Sequence, residues 1–368
     1  MNKKKIVALL MSFVMLLSVI LTGCSGEKKA EEPAKSDEKM KVGFIYVGPI
    51  GDGGWTYSHN EGRLYLEKEL GVETIYKESV PEGPEVEKIM KDMIDQGAKV
   101  IFATSFGYMD YVEKVAKEYP DVKFMHCSGY KQSENMTNYF GREYQARYLS
   151  GIVAGMKTQT DKIGYVAAFE IPEVVRGIDA FTLGVRSVNP DAKVVVRWTH
   201  TWYDPVTEKD AANSLLDEGA DIIAQHQDTA GPQQAAQERG VFSIGYNTDM
   251  KAMAPKAYLT APIWNWGPYY VEQVKAAMDG TWKSDSYWGG METGTIQLAP
   301  MTELVPAEAV AKVQEIEAKI KDGSFEVFSG PIKDNEGNLK VKEGEKLTDE
   351  QMLSIDWFVE GVEGKIKK

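Results

Sequence analysis

The 368-residue sequence holds only two cysteines, Cys24 and Cys127, and four histidines, His59, His126, His200 and His226. Two cysteines cannot make a disulfide framework, and the four histidines show no metal-ligand spacing. HExxH, GxSxG and Cys-x-x-Cys are all missing, and with them the signatures of zinc hydrolases, serine esterases and dithiol redox centres. No catalytic residue, metal or cofactor is therefore expected. Positive charge is also in deficit, with 42 Lys and Arg against 55 Asp and Glu and a net charge of −13. A nucleic-acid partner would want a basic face, so none is expected. Long apolar runs are absent beyond the first residues.

That first run is informative. Lys3, Lys4 and Lys5 precede an apolar stretch from Ile6 to Leu21, and Leu21-Thr22-Gly23-Cys24 follows. The run falls short of the roughly 20 residues a membrane-spanning helix needs, and its basic start and small-residue end describe a secretory leader over residues 1–23. Cys24 after Leu-Thr-Gly is similar to a bacterial lipobox, which implies lipid attachment there and a membrane-anchored location on the extracytoplasmic face. Removing the three leader lysines takes the net charge from −13 to −16. Residues 24–40 are rich in Lys, Glu, Ser and Ala, too polar to fold, and are expected to form a flexible tether.

From Lys41 the pattern alternates short buried strands with longer amphipathic helices, which predicts an α/β fold with parallel sheets covered on both faces. Strands are expected at Lys41–Val47, Glu73–Lys77, Val100–Ala103 and Lys123–Cys127, with helices near Thr56–Leu70, Pro84–Gln96 and Tyr108–Glu118. A second series has strands at Lys162–Ala167, Lys193–Trp198, Ile222–Gln225 and Phe242–Tyr246. Its helices fall near Glu143–Thr158, Glu173–Val188, Pro205–Asp217 and Pro232–Arg239. Asp95-Gln96-Gly97-Ala98 and Asp217-Glu218-Gly219-Ala220 lie 122 residues apart, and the first strands, at Lys41 and Lys162, 121 apart. That near-constant offset predicts two similar lobes. Tyr258–Ile263 reads as a crossover strand leading to a helix near Tyr269–Met278. The expected division is residues 41–141 with 264–290 for lobe 1 and residues 142–263 for lobe 2. Residues 291–368 would complete the lobes with a hairpin and a short helix, Asp349–Glu360.

Ligands of open parallel sheets bind beyond the carboxyl ends of the strands. The loops there carry Asp52, Trp55 and Tyr57 after the first strand and Ser105 and Phe106 after the third. In the second series they carry Trp202, then His226, Gln227 and Asp228, then Asp249, with Trp264 in the crossover. Rings that stack and carboxylates or amides that read an edge suit a flat heterocycle. Asp249 could instead cap the helix that follows it, and Asp52 before glycine is also ordinary turn chemistry. Cys127 ends an apolar strand and is expected to be a buried, inert thiol.

These features together resemble the basic membrane protein (BMP) family, substrate-binding lipoproteins of ABC importers similar to purine nucleoside receptors. The resemblance rests on the lipobox, Lys41–Val47, the loop 51–60, Gly141-Arg142-Glu143, Lys162-Ile163-Gly164 and Gly245–Asp249. It implies a two-lobed periplasmic-binding fold of type I, with three hinge crossovers, and an ABC permease and ATPase as partners of a monomer. It also implies that Trp55 and Trp202 replace two stacking rings and that Asp249 matches a ribose-holding aspartate. A ribose-contacting lysine is replaced by Trp264 or Asn265, and an edge-reading aspartate by Cys127 or Ser128. These departures favour a free base such as adenine or hypoxanthine over a full nucleoside, with His226, Gln227 and Asp228 as edge readers. A receptor for a sugar or signalling molecule is the alternative within the binding class, since stacked tryptophans also suit sugars. A secreted nucleoside hydrolase is the alternative of another class.

Overall fold

Continuous apolar strands can only be satisfied when both sheet faces are covered, and the first series does this in one parallel sheet. The computed structural model describes residues 39–366. The leader, Cys24 and nearly all of the tether lie outside the described residues. The first series runs β1 (Lys41–Ile45), α1 (Trp55–Leu70), β2 (Glu73–Lys77), α2 (Glu85–Asp95), β3 (Ala98–Ala103), α3 (Met109–Glu118), β4 (Lys123–Cys127) and β5 (Met136–Gly141). The second runs α4 (Tyr144–Lys157), β6 (Lys162–Ala167), α5 (Pro172–Val188), β7 (Lys193–Trp198), α6 (Pro205–Asp217), β8 (Ile222–His226), α7 (Gly231–Glu238), β9 (Phe242–Ile244) and β10 (Tyr258–Thr260). The remainder comprises β11 (Pro262–Trp264), α8 (Gly267–Met278), β12 (Tyr287–Gly289), β13 (Ile296–Leu298), α9 (Ala307–Lys321), β14 (Ile332–Lys333), β15 (Leu339–Val341), α10 (Asp349–Leu353) and β16 (Val362–Glu363).

Two six-stranded sheets result, in the orders β2-β1-β3-β4-β5-β12 and β16-β7-β6-β8-β9-β10. Every pairing within them is parallel. The protein is a two-lobed α/β fold. The chain passes between the lobes three times: from β5 into α4, from β10 through β11 into α8, and from β12 through β13 towards α9. The last two passages pair with each other as the antiparallel strands β11 and β13. Within lobe 2, α4 and α5 cross so closely that a Cβ on Gly184 would stand 2.0 Å from the Tyr148 carbonyl oxygen, a separation only glycine permits.

The structure departs from the sequence expectations at several places, the unforeseen strands β12 and β13 among them. Strand β5 was not expected, because Thr137 and Asn138 interrupt its apolar pattern. Their polar atoms are answered from a segment 148 residues away: Thr137 Oγ1 donates to the Asp285 carbonyl at 2.5 Å and Asn138 Nδ2 to Ser286 Oγ at 2.9 Å. The segment expected as one strand at Tyr258–Ile263 is divided, with β10 in the lobe 2 sheet and β11 in the crossover pair. Pro262 opens β11 and has no N–H for a sheet ladder. Helix α9 lay unmarked in the C-terminal segment. Finally, the helix expected over Asp349–Glu360 stops at Leu353. Beyond it Ile355, Phe358 and Val359 are buried, Val359 N donates to Asp179 Oδ1 at 2.9 Å, and β16 joins the edge of the lobe 2 sheet beside β7.

Candidate ligand-binding site

A cleft of about 330 Å³, open mouth included, is lined by Val47, Trp55, Ser105, Phe106, Ser128, Glu173, Trp202, His226, Asp228 and Tyr246. Each of these follows the carboxyl end of a strand, β1, β3 or β4 in lobe 1 and β6, β7, β8 or β9 in lobe 2, which is where open α/β sheets bind ligands.

Lobe 1 supplies a fixed aromatic wall. Trp55 Nε1 donates to the Thr104 carbonyl at 2.8 Å. Its ring meets His59, Trp264 and Trp266 edge-on, at centroid distances of 4.3, 5.7 and 5.9 Å. The turn carrying Ser105 and Phe106 is tied down by Glu82, whose Oε1 accepts from Ser105 Oγ at 2.5 Å and from Gly107 N at 2.8 Å.

The lobe 2 wall is polar behind its rings. His226 packs on Tyr246 at 4.6 Å, and its Nε2 lies 3.6 Å from Glu173 Oε1. Burial, aided by Arg147 and Arg176, holds the His226 imidazole neutral, well below its ordinary range. Burial pushes Glu173 up to about 7 despite the opposing pull of Arg176. Asp228 is pushed up by burial and by the negative charge of Asp52, which burial itself raises to about 6. Behind this layer the Arg147 guanidinium lies 3.6 Å from the centre of the Tyr246 ring, and its Nη1 donates to the Gln225 carbonyl at 2.7 Å. Arg147 also pairs with Glu143 at 3.4 Å, both side chains fully buried. Four buried atoms on cleft-lining residues have no hydrogen-bond partner among the described residues: His226 Nδ1, Asp228 Oδ2, Glu173 Oε2 and the Tyr246 hydroxyl oxygen. Buried polar atoms left bare are costly, so a ligand whose edge satisfies them gains that cost back as affinity.

The lobes touch around the cleft. A Cβ on Gly54 would stand 2.1 Å from the Asp228 carbonyl oxygen, so only glycine allows the approach. Thr248 Oγ1 donates to the Gly53 carbonyl, and Trp202 Nε1 reaches Glu82 Oε2 at 3.4 Å.

Of the residues singled out in the sequence, Trp55, Ser105, Phe106, Ser128, Trp202, His226 and Asp228 meet at the cleft. Five do not. Asp52 turns its carboxylate to the start of α1, accepting from Gly54 N, Thr56 N and Tyr57 N at 2.8 to 2.9 Å. Tyr57 is an exposed side chain outside the cleft. Gln227 points away, its Nε2 donating to Thr199 Oγ1 at 2.5 Å. Asp249 is exposed and accepts from Lys251 N at 3.0 Å, the turn-capping role. Trp264 lies behind Trp55, stacked on Trp266 at 4.5 Å with its Nε1 bonded to Asn247 Oδ1 at 2.9 Å. It packs in the hinge and does not line the cleft. Val47, Glu173 and Tyr246 were missed. Val47 and Tyr246 read only as strand ends, and Glu173 as a helix start, although the strand-end rule that found the others covers all three. Cys127 is buried, and burial pushes its thiol up.

Two α/β lobes joined by three crossovers, with strand-end loops enclosing a small ring-lined cleft, define a two-lobed periplasmic-binding fold. The chain belongs to the Bmp family, described as ABC transporter substrate-binding protein PnrA-like, whose model matches residues 39–329. It is 46% identical over 335 residues to a purine-binding protein of Brucella abortus, covering 90% of this chain and 95% of that one. It is 40% identical over 330 residues to a Haloferax volcanii protein provisionally named as an ABC transporter glucose-binding protein, covering 89% and 82% of the two chains. Among solved structures, an ABC transporter solute-binding protein from Aeropyrum pernix superposes with a TM-score of 0.70 at 21% identity, covering 80% of this chain and 93% of that one. That likeness speaks for the fold alone.

Proposed function

We propose that this protein captures a free purine base, adenine or hypoxanthine, between its lobes and delivers it to an ABC permease and ATPase without chemically altering it. The observation that carries the reading is the combination of a ring-lined slot with bare edge-reading atoms on His226, Asp228 and Glu173. Trp55 and Phe106 would face one side of the ring, and Trp202 and Tyr246 the other. A neutral Asp228 carboxyl can both donate and accept, as the mixed donor and acceptor edge of a purine requires. A base is favoured over a nucleoside because neither Asp249 nor Trp264 lines the cleft, which leaves a ribose without the contacts the family resemblance implies. The Brucella relative's name supports the purine class. The reading includes lipid attachment at Cys24, placing a monomer on the outer face of the membrane. Cys24→Ala should release the protein from membranes, and its retention would sink the anchor.

The name of the Haloferax relative favours a second reading, a sugar, which the same rings could stack upon. Thermal unfolding of the purified chain against bases, nucleosides and glucose separates the two. A ligand present at 100 times its Kd adds about 2.7 kcal/mol. A larger midpoint shift with adenine or hypoxanthine than with their nucleosides is expected. A silent purine panel beside a shift with glucose would replace the purine reading.

A further inference from the structure

A second hollow adjoins the cleft. It measures about 590 Å³, open mouth included, and Phe106, Ser128 and Glu173 line it as well as the cleft. Those three side chains are the partition between the two spaces. Beyond the partition four aromatic residues, Tyr130, Phe140, Tyr287 and Trp288, contribute to the lining. Three residues lining it carry buried polar atoms without a partner: Asn138 Oδ1, Glu173 Oε2 and Arg176 Nε. Asn138 and Arg176 are 9% and 2% exposed. Rings with a few bare polar atoms are the composition of a ligand compartment.

We propose that this hollow is a second compartment of the binding site, accepting a flat apolar substituent carried by the ring held in the cleft. The inference rests on the purine reading and narrows it: the ligand class becomes purines substituted on the six-membered ring. The heterocycle turns that edge towards Ser128 and Glu173, and its substituent passes between them towards Phe140 and Tyr287. A bare base would leave the second compartment to water. The hollow is the larger of the two spaces, about 590 Å³ against about 330 Å³, open mouths included.

Titration calorimetry of the full chain in detergent with adenine and N6-benzyladenine tests this. N6-benzyladenine is expected to bind at least tenfold more tightly. Ser286→Trp and Leu353→Trp place bulk in the hollow from exposed positions on its wall, away from the cleft. Each should abolish that advantage and leave the adenine Kd unchanged. Equal or weaker binding of N6-benzyladenine to the parent chain overturns the proposal, as does an equal loss of both ligands in both variants. If neither purine binds a chain that still unfolds cooperatively, the purine reading itself has failed, a result distinct from loss of the substituted ligand alone.

Discussion

The two walls of the cleft are made of different materials. On the lobe 1 side, Trp55 rests against His59, Trp264 and Trp266, and Trp264 stacks on Trp266 at 4.5 Å. The ring that lines the cleft there is already held, since Trp55 Nε1 has a partner. On the lobe 2 side, Glu143, Arg147, Glu173, Arg176 and Asp228 are gathered behind Trp202, His226 and Tyr246, and bare atoms remain. One wall orients a solute by shape. The other is electrostatically unfinished, with polar atoms left bare; in the proposed function a ligand with a suitable edge would complete it.

The largest effect that would break this comparison lies in the lobe 2 charge layer. Arg147→Ala removes the partner of Glu143 and the donor to the Gln225 carbonyl. Breaking a buried pair this way costs about 3–5 kcal/mol, and urea unfolding should show it. A variant as stable as the parent would mean the layer contributes nothing to the fold.

The tryptophans sharpen the contrast further. Trp55→Ala should cost about 3 kcal/mol or more in stability, as truncation of a buried Trp does, and should also abolish measurable purine binding. Trp202, half-buried at the rim, should behave differently when changed to Ala. Its affinity should fall about tenfold, equivalent to about 1.4 kcal/mol, while the unfolding midpoint stays close to that of the parent. Equal stability losses in both variants would contradict a rigid lobe 1 wall.

A further effect is a pH dependence whose carboxylate part comes mostly from lobe 2. Burial raises Glu143, Glu173 and Glu208 to about 7 each. The folded state therefore takes up protons near pH 7, whereas the unfolded chain takes them up only near the ordinary carboxylate range. Stability from these groups is fully present at low pH and is lost as pH rises through 7. Between pH 8 and 6.5 the unfolding free energy should increase by on the order of 2 kcal/mol. Below about pH 6.5 the gain should slow, because burial keeps His59, His126 and His226 neutral in the fold while they protonate in the unfolded chain. Glu208→Gln should flatten the slope by about a third. A stability that rises from pH 6.5 to 8 would show these carboxyls ionised in the native state.

Much of the fold was legible because period and burial are local properties. The strands at Glu73–Lys77, Lys123–Cys127, Lys162–Ala167 and Lys193–Trp198 fall where apolar runs meet turn residues. The constant offset between the two series announced two lobes. What stayed hidden depended on distant partners. Strand β5 is polar in its middle and becomes a strand because the segment before β12 answers Thr137 and Asn138. The chain beyond Leu353 leaves its helix because Asp179 and β7 receive it.

The site divides the same way. The sequence alone determined that rings and carboxylates stand at strand ends, because the glycine-rich and polar loops there interrupt apolar runs visible over ten residues. It could not decide which way a loop side chain turns. Asp52 and Asp249 look like ligand contacts in the sequence, yet the nearest bare backbone N–H groups are those of their own turns, and those claim them first. Glu173 looks like an ordinary helix start, yet α5 is packed so that its carboxyl faces His226 across the cleft floor. Orientation of that kind is set by which partners lie within about 3 Å, and only the assembled lobes bring those partners together.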